Sequence, residues 1–271
     1  MDWPRQGRIA VVLALVSACA TAAPPSASSP DFEAFVSDQF DFDDPIQTEA
    51  RFLALAHRAG NPDARSEFLT QAARAQGVQD RLDEAHATLS HSGAENADSA
   101  RLRARYALER ARLLRRAGDR EGAAHSFTRA YEIAVEARED ALAADAAHMM
   151  ALISPPDEAA HWVERGLEIA LESERPTARA WVGTISYNWA MALSERGDHA
   201  GAARYLARAL ASRQQQGDVE LLRATERALA QELALSGSPE QARAILQRLL
   251  SEERAAGADT RETEAALAAL P

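Results

Sequence analysis

The chain has no lysine: all 30 of its basic side chains are arginine. That removes phosphate-loop lysines, Schiff-base lysines and Ser-x-x-Lys nucleophile pairs from consideration. One cysteine in 271 residues excludes CxxC redox pairs, cysteine zinc sites and internal disulfides. No HExxH, GxSxG or GxGxxG occurs, and the seven histidines are scattered, so catalytic residues, metal ligands and cofactors are all expected to be absent. A net charge of −11 argues against nucleic acid as partner, because neutralising phosphates needs concentrated positive charge. Aromatics are scarce at 6%, and glycine (13) and proline (11) are modest. Hydrophobic residues nevertheless reach 46%, and alanine makes up roughly a fifth to a quarter of the chain, well above ordinary usage. Alanine-rich, leucine-studded, glycine-poor sequence predicts helices packed closely through small side chains.

The first residues read as an address. Arg5 and Arg8 precede a short apolar run from Ile9 to Val16, too short to span a bilayer as a mature helix, and small residues follow. Val16-Ser17-Ala18-Cys19 resembles the bacterial lipobox, in which the signal is cut before the cysteine and the cysteine is acylated. The resemblance implies a lipoprotein signal peptide over 1–18, lipidation at Cys19 and stable attachment through more than one acyl chain. Ala20 after the cysteine, rather than aspartate, suggests the outer membrane, facing the periplasm. The alternative is a plain signal peptide cut after Ala20 or Ala22, with release to the periplasm. Residues 21–30, rich in proline and serine, predict an extended tether, and 19–45 as a whole joins anchor to body.

From residue 46 to 271 the chain reads as one helical body, self-similar over roughly residues 65–255. A small residue recurs at Ala85, Ala123, Ala159, Ala202 and Ala242, with spacings of 38, 36, 43 and 40. Within copies the pattern extends: Ala111, Gly118, Ala123, Phe127 and Ala130; Ala190, Gly197, Ala202, Leu206 and Ala209; Ala230, Gly237, Ala242, Leu246 and Leu249. A third copy keeps Ala147, Ala159, Val163 and Gly166 around Ser154-Pro155-Pro156 instead of a turn glycine. The first copy keeps Ala73, Ala85 and Leu89, with Gly77 near its turn. This pattern resembles the tetratricopeptide repeat (TPR) over roughly residues 65–255. The resemblance implies an all-α superhelix of about five helical hairpins, closed by capping helices predicted over 46–59 and 259–270, the latter N-capped by Asp259 or Thr260.

Two segments stand out. At 100° per residue, Arg101, Arg105, Arg112 and Arg116 fall in one stripe of a helix, with Arg115 beside it. In TPR proteins such positions line the concave groove, where guanidinium forks suit the carboxylates of an acidic peptide. The competing expectation is a set of internal ion pairs with Glu109, Asp145 or Glu67. Tyr187, Asn188 and Met191 are further groove candidates; Asn188 resembles an asparagine that TPR proteins use to hold a peptide backbone. Trp181, Tyr187 and Trp189 share one predicted helix and are expected to pack between repeats, with a ligand-facing Tyr187 as the alternative. The second segment, residues 31–44, carries four of the seven phenylalanines and six acidic residues. It is expected either as a cap over the first repeat or as an internal occupant of the arginine-lined groove.

These expectations combine into a non-catalytic scaffold that binds a protein or peptide and is held at the bacterial envelope by lipid. The alternative is a structural assembly subunit that self-associates through its exposed repeat ends.

Overall fold

The computed structural model describes residues 31–270, together with Pro25 and Ser29. The expected signal segment, Cys19 and most of the expected tether lie outside the described residues. Among the described residues the fold is all-α. Its elements are α1 (Phe32–Asp38), α2 (Pro45–Arg58), α3 (Pro62–Val78), α4 (Leu82–His91), a 3-10 turn (Ala94–Asn96), α5 (Ala100–Arg116), α6 (Arg120–Glu136) and α7 (Asp140–Ile153). Then follow α8 (Pro156–Glu172), α9 (Pro176–Arg179), α10 (Trp181–Ser194), α11 (His199–Gln216), α12 (Val219–Leu235), α13 (Pro239–Ala256) and α14 (Arg261–Ala268). Consecutive helices pack as neighbours: α2 on α3, α3 on α4, α5 on α6, α7 on α8, α10 on α11, α12 on α13. Each pair also meets the next, through α3 with α5, α6 with α7, α8 with α10 and α11 with α12.

Local chemistry sets the helix ends. Asp119 accepts a hydrogen bond from the Gly122 amide and Asp198 from the Gly201 amide, each at 2.8 Å. These side chains satisfy donors that the first turn of a helix leaves open. Proline opens α2, α3, α8 and α13, where its missing N–H costs nothing. Gly118, Gly197 and Gly237 close the preceding helices with φ of 86°, 80° and 91°, the left-handed conformation glycine adopts without strain. Two turns achieve the same reversal without glycine, through Asp80 (φ 59°) and Arg138 (φ 55°).

Gly77 lies near the turn of the first copy, as expected, and Asp80 is the residue that takes the left-handed conformation there. Gly77 itself lies inside α3, and a Cβ there would come within 2.6 Å of Leu113 Cδ2, so its role is close approach of α3 to α5. The last helix is N-capped at Thr260 by position, but the hydrogen bond comes from Asp259, which accepts from the Arg261 amide at 3.0 Å.

The repeat positions form the core. Ala111, Ala123, Phe127, Ala147, Ala190, Ala202, Leu206, Ala209, Ala230 and Ala242 are fully buried. Alanine lets paired helices come close, and the larger residues fill the space between one pair and the next. Trp189 is buried among Val163, Leu167 and Ile185, with Trp181 packed against the same group. Tyr187 and Met191 pack against the neighbouring cluster around Leu206 and Leu229. No described helix is long and apolar enough to cross a membrane.

Candidate functional site: an arginine-walled cavity under an acidic strap

The arginines of α5 do share a face, and that face is already crowded with carboxylates. Arg101 sits 3.1 Å from Glu139 and 3.8 Å from Glu33. Arg105 donates through Nε to Glu67 at 2.9 Å. Arg112 donates to Glu109 at 2.7 Å and forks onto both oxygens of Asp145 at 2.5 and 2.7 Å. Arg116 reaches Asp80 at 2.6 Å. The internal ion pairs weighed against the groove reading are thus formed, with Glu67, Glu109 and Asp145 all involved. Arg115 differs: among the described residues it has no carboxylate partner, and it is exposed and lines the cavity described below.

Burial and charge set the protonation of this wall. Burial pushes the Glu67 carboxyl up, but Arg105 and Arg101 more than offset this and hold it below the usual range. Asp145 behaves likewise, with Arg112 and Arg74 outweighing desolvation. Arg74, on α3, is pulled down to about 10 by burial and by the neighbouring Arg112. Arg115 is lowered by burial and by Arg116 and Arg112, the mark of a locally cationic patch. His148 is depressed to about 4 by burial, with Arg112 and Arg115 adding to the effect, so it is neutral at pH 7. Asn188 Nδ2 lies 2.8 Å from His148 Nε2, which accepts from it in the neutral ring and leaves the proton on a buried, unpartnered Nδ1.

The remaining candidates are used within the fold. Asn188 is occupied by His148. Tyr187 lies under Arg213, whose guanidinium carbon is 4.5 Å from the ring centroid. Met191 is a packing residue. Trp181 lies 5.6 Å from the His148 ring and, unlike Tyr187, faces the cavity.

Residues 31–44 lie across this wall as a strap. Phe32 and Val36 are buried against Phe52 and Phe68, so α1 covers the first helices, as the capping expectation has it. Beyond that cap, Glu33 accepts a hydrogen bond from Thr177 Oγ1 at 3.0 Å while facing Arg101. Phe40 and Phe42 meet at 4.6 Å with their rings tilted by 47°, and both sit beneath Arg74, 4.8 and 5.1 Å from its guanidinium carbon. Between strap and helices remains a cavity of about 520 Å³. Glu33, Val36, Phe40 and Phe42 form one side; α3, α5, α7 and α10 contribute Arg74, Arg112, Arg115, His148 and Trp181 to the other. The sequence pointed to α5 and to the strap, but not to Arg74, His148 and Trp181. Only the three-dimensional stacking of successive helix pairs brings those together. Among the described residues no group of three or more histidine, cysteine, aspartate or glutamate side chains is placed to hold a metal.

No family model matches the chain, and no curated protein matches it. Solved structures do resemble it. The crystal structure of BtubC (BKLC) from P. vanneervenii superposes with a TM-score of 0.59 at 18% identity, covering 82% of this chain and 91% of that one. At that identity the likeness is one of fold: a chain of paired helices.

Proposed function

We propose that this chain is a non-catalytic binding scaffold, built of TPR-like hairpins stacked into a superhelix, whose first-helix face holds a protein or peptide segment. The observation that carries this reading is the cavity itself. Four successive pairs each lend a helix to one wall, where guanidinium groups stand beside Trp181, and the Phe40–Phe42 ring pair faces it from the strap. A face of that make-up suits carboxylates and apolar side chains together. Acylation at Cys19 would hold the scaffold at the envelope membrane and place its partner there.

Crosslinked affinity purification from native envelopes tests the reading, comparing wild type with Arg115→Glu/Arg116→Glu. Those two side chains are exposed, whereas Arg105 and Arg112 are fixed in internal pairs whose reversal would damage the fold. A partner captured by wild type and lost in the variant supports binding at this face. The same partners from both would move the interface elsewhere.

A further inference from the structure

We infer that the partner segment is itself acidic and aromatic, and that residues 40–44 are its resident stand-in, exchanging with it on the arginine wall. This rests on the binding-scaffold reading and names the chemistry of what binds. Four observations converge on it.

The strap is the one stretch of the chain that is dense in both phenylalanine and carboxylate, and it lies on the face richest in guanidinium. Its contacts use both properties: Phe40 and Phe42 lie under Arg74 in the half that exchanges, and Glu33 faces Arg101 in the half that stays. Aromatic faces and carboxylates are the two groups that guanidinium recognises best.

The strap's two halves are held very differently. Phe32 and Val36 are core residues at 2% and 3% exposure, whereas Phe42 is 58% exposed. From Phe40 on, the strap is fixed by ring contacts and by the mutual hydrogen bonds of the Asp41 backbone with Thr48. The first half is therefore an anchor, while the second touches the core through Phe40, which packs against Phe52 at 6.1 Å, and can leave at the cost of that contact.

The strap also leaves the wall incompletely used. Arg115 has no carboxylate partner among the described residues, and the cavity beside Phe42 is open. An incoming segment can begin to bind at Arg115 and Trp181 before it displaces Phe40 and Phe42. Because the resident segment is tethered, it competes at high effective concentration and sets a threshold for any partner.

The test uses the full chain and a fluorescein-labelled peptide with the sequence of residues 31–44, read by anisotropy. Wild type should bind weakly, because its own strap is in place. Phe40→Ala/Phe42→Ala keeps Phe32 and Val36 and should bind the peptide at least about ten-fold tighter, the gain expected when a bound form nine-tenths populated is removed. Adding Arg74→Gln should abolish that gain. Equal affinity for wild type and the double variant overturns the inference, as does equal binding of a peptide with the same composition in scrambled order.

If the double variant fails to fold by circular dichroism, amide exchange on the unaltered chain decides instead. Excess peptide should speed exchange over residues 40–44, and unchanged exchange there overturns the proposal. None of this needs a cellular partner. An empty envelope capture therefore counts against the scaffold reading, and a failed exchange against the identity of the bound segment.

Discussion

Glu33 and Thr177 are 144 positions apart, yet the threonine hydroxyl donates to the glutamate carboxylate at 3.0 Å. Most helix contacts in the fold run between neighbouring pairs, whereas this bond reaches from the first helix across to α9. Stacked repeats otherwise communicate only with adjacent units, so a segment lying along their face is the means by which distant pairs feel each other.

Thr177→Val removes that bond at little cost in volume. A hydrogen bond to a charged group contributes roughly 1.5–3 kcal/mol when well ordered, and partial exposure places this one at about 1 kcal/mol. The loss should be local. Amide exchange should rise over α1 while α12 and α13 keep wild-type protection. A uniform rise through the whole chain would show that the strap is integral to global stability.

The bidentate Arg112–Asp145 pair should behave as a buried ion pair. Asp145→Asn leaves Arg112 with Glu109 alone and Arg112→Met leaves Asp145 with Arg74 alone, so each single change should cost up to about 3–5 kcal/mol. The Arg112→Met/Asp145→Leu double variant should recover most of that loss, because the desolvation cost disappears together with the attraction. Urea unfolding of all three variants measures it. A double variant as unstable as the singles would show that the pair supports the wider network of Glu109, Arg105 and Glu67.

His148 makes stability depend on pH. Its folded pKa of about 4 lies below the unfolded 6.5, so the unfolded chain binds a proton that the native chain refuses. The contribution is intact above pH 6.5 and is lost as pH falls from 6.5 toward 4, amounting to about 3 kcal/mol at the low end. His148→Gln keeps an acceptor for Asn188 and should flatten the stability profile between pH 6.5 and 4.5. Below that, Glu67 and Asp145, whose carboxyls are held low by arginine, take over the acid loss in both proteins.

Much of this architecture was legible because a repeat states its core several times. Ala123, Ala202 and Ala242 hold one frame with an apolar residue four positions on, and all are buried. The arginine stripe was legible as geometry but not as chemistry. Helical spacing puts Arg105 and Arg112 on one face, yet Glu67 and Asp145, which meet them there, lie 38 and 33 positions away on other helices. The strap's composition set residues 31–44 apart, as a cap over the first repeat or as an occupant of the groove. That it both caps the first helices and crosses the arginine wall depends on side-chain contacts that no periodicity encodes. Turns without glycine were the least readable, since Asp80 and Arg138 take a conformation that their residue types disfavour.

Arg138 therefore offers a stabilising substitution. It closes α6 with φ of 55°, a left-handed conformation that costs an ordinary residue roughly 1–2 kcal/mol. Gly118, Gly197 and Gly237 do the equivalent work in other turns without that cost. Arg138→Gly removes the strain but adds freedom to the unfolded chain, roughly 0.5–1 kcal/mol in the opposite sense. The net should be a gain of about 0.5 kcal/mol, seen as a higher unfolding midpoint with an unchanged dependence on urea. Asp80→Gly, at the other such turn, should gain less, because it also removes the carboxylate that Arg116 holds at 2.6 Å. Thermal and urea unfolding of the two variants side by side separates backbone strain from ion pairing. Equal gains would mean that the Arg116–Asp80 pair contributes nothing to stability, as is common for exposed pairs.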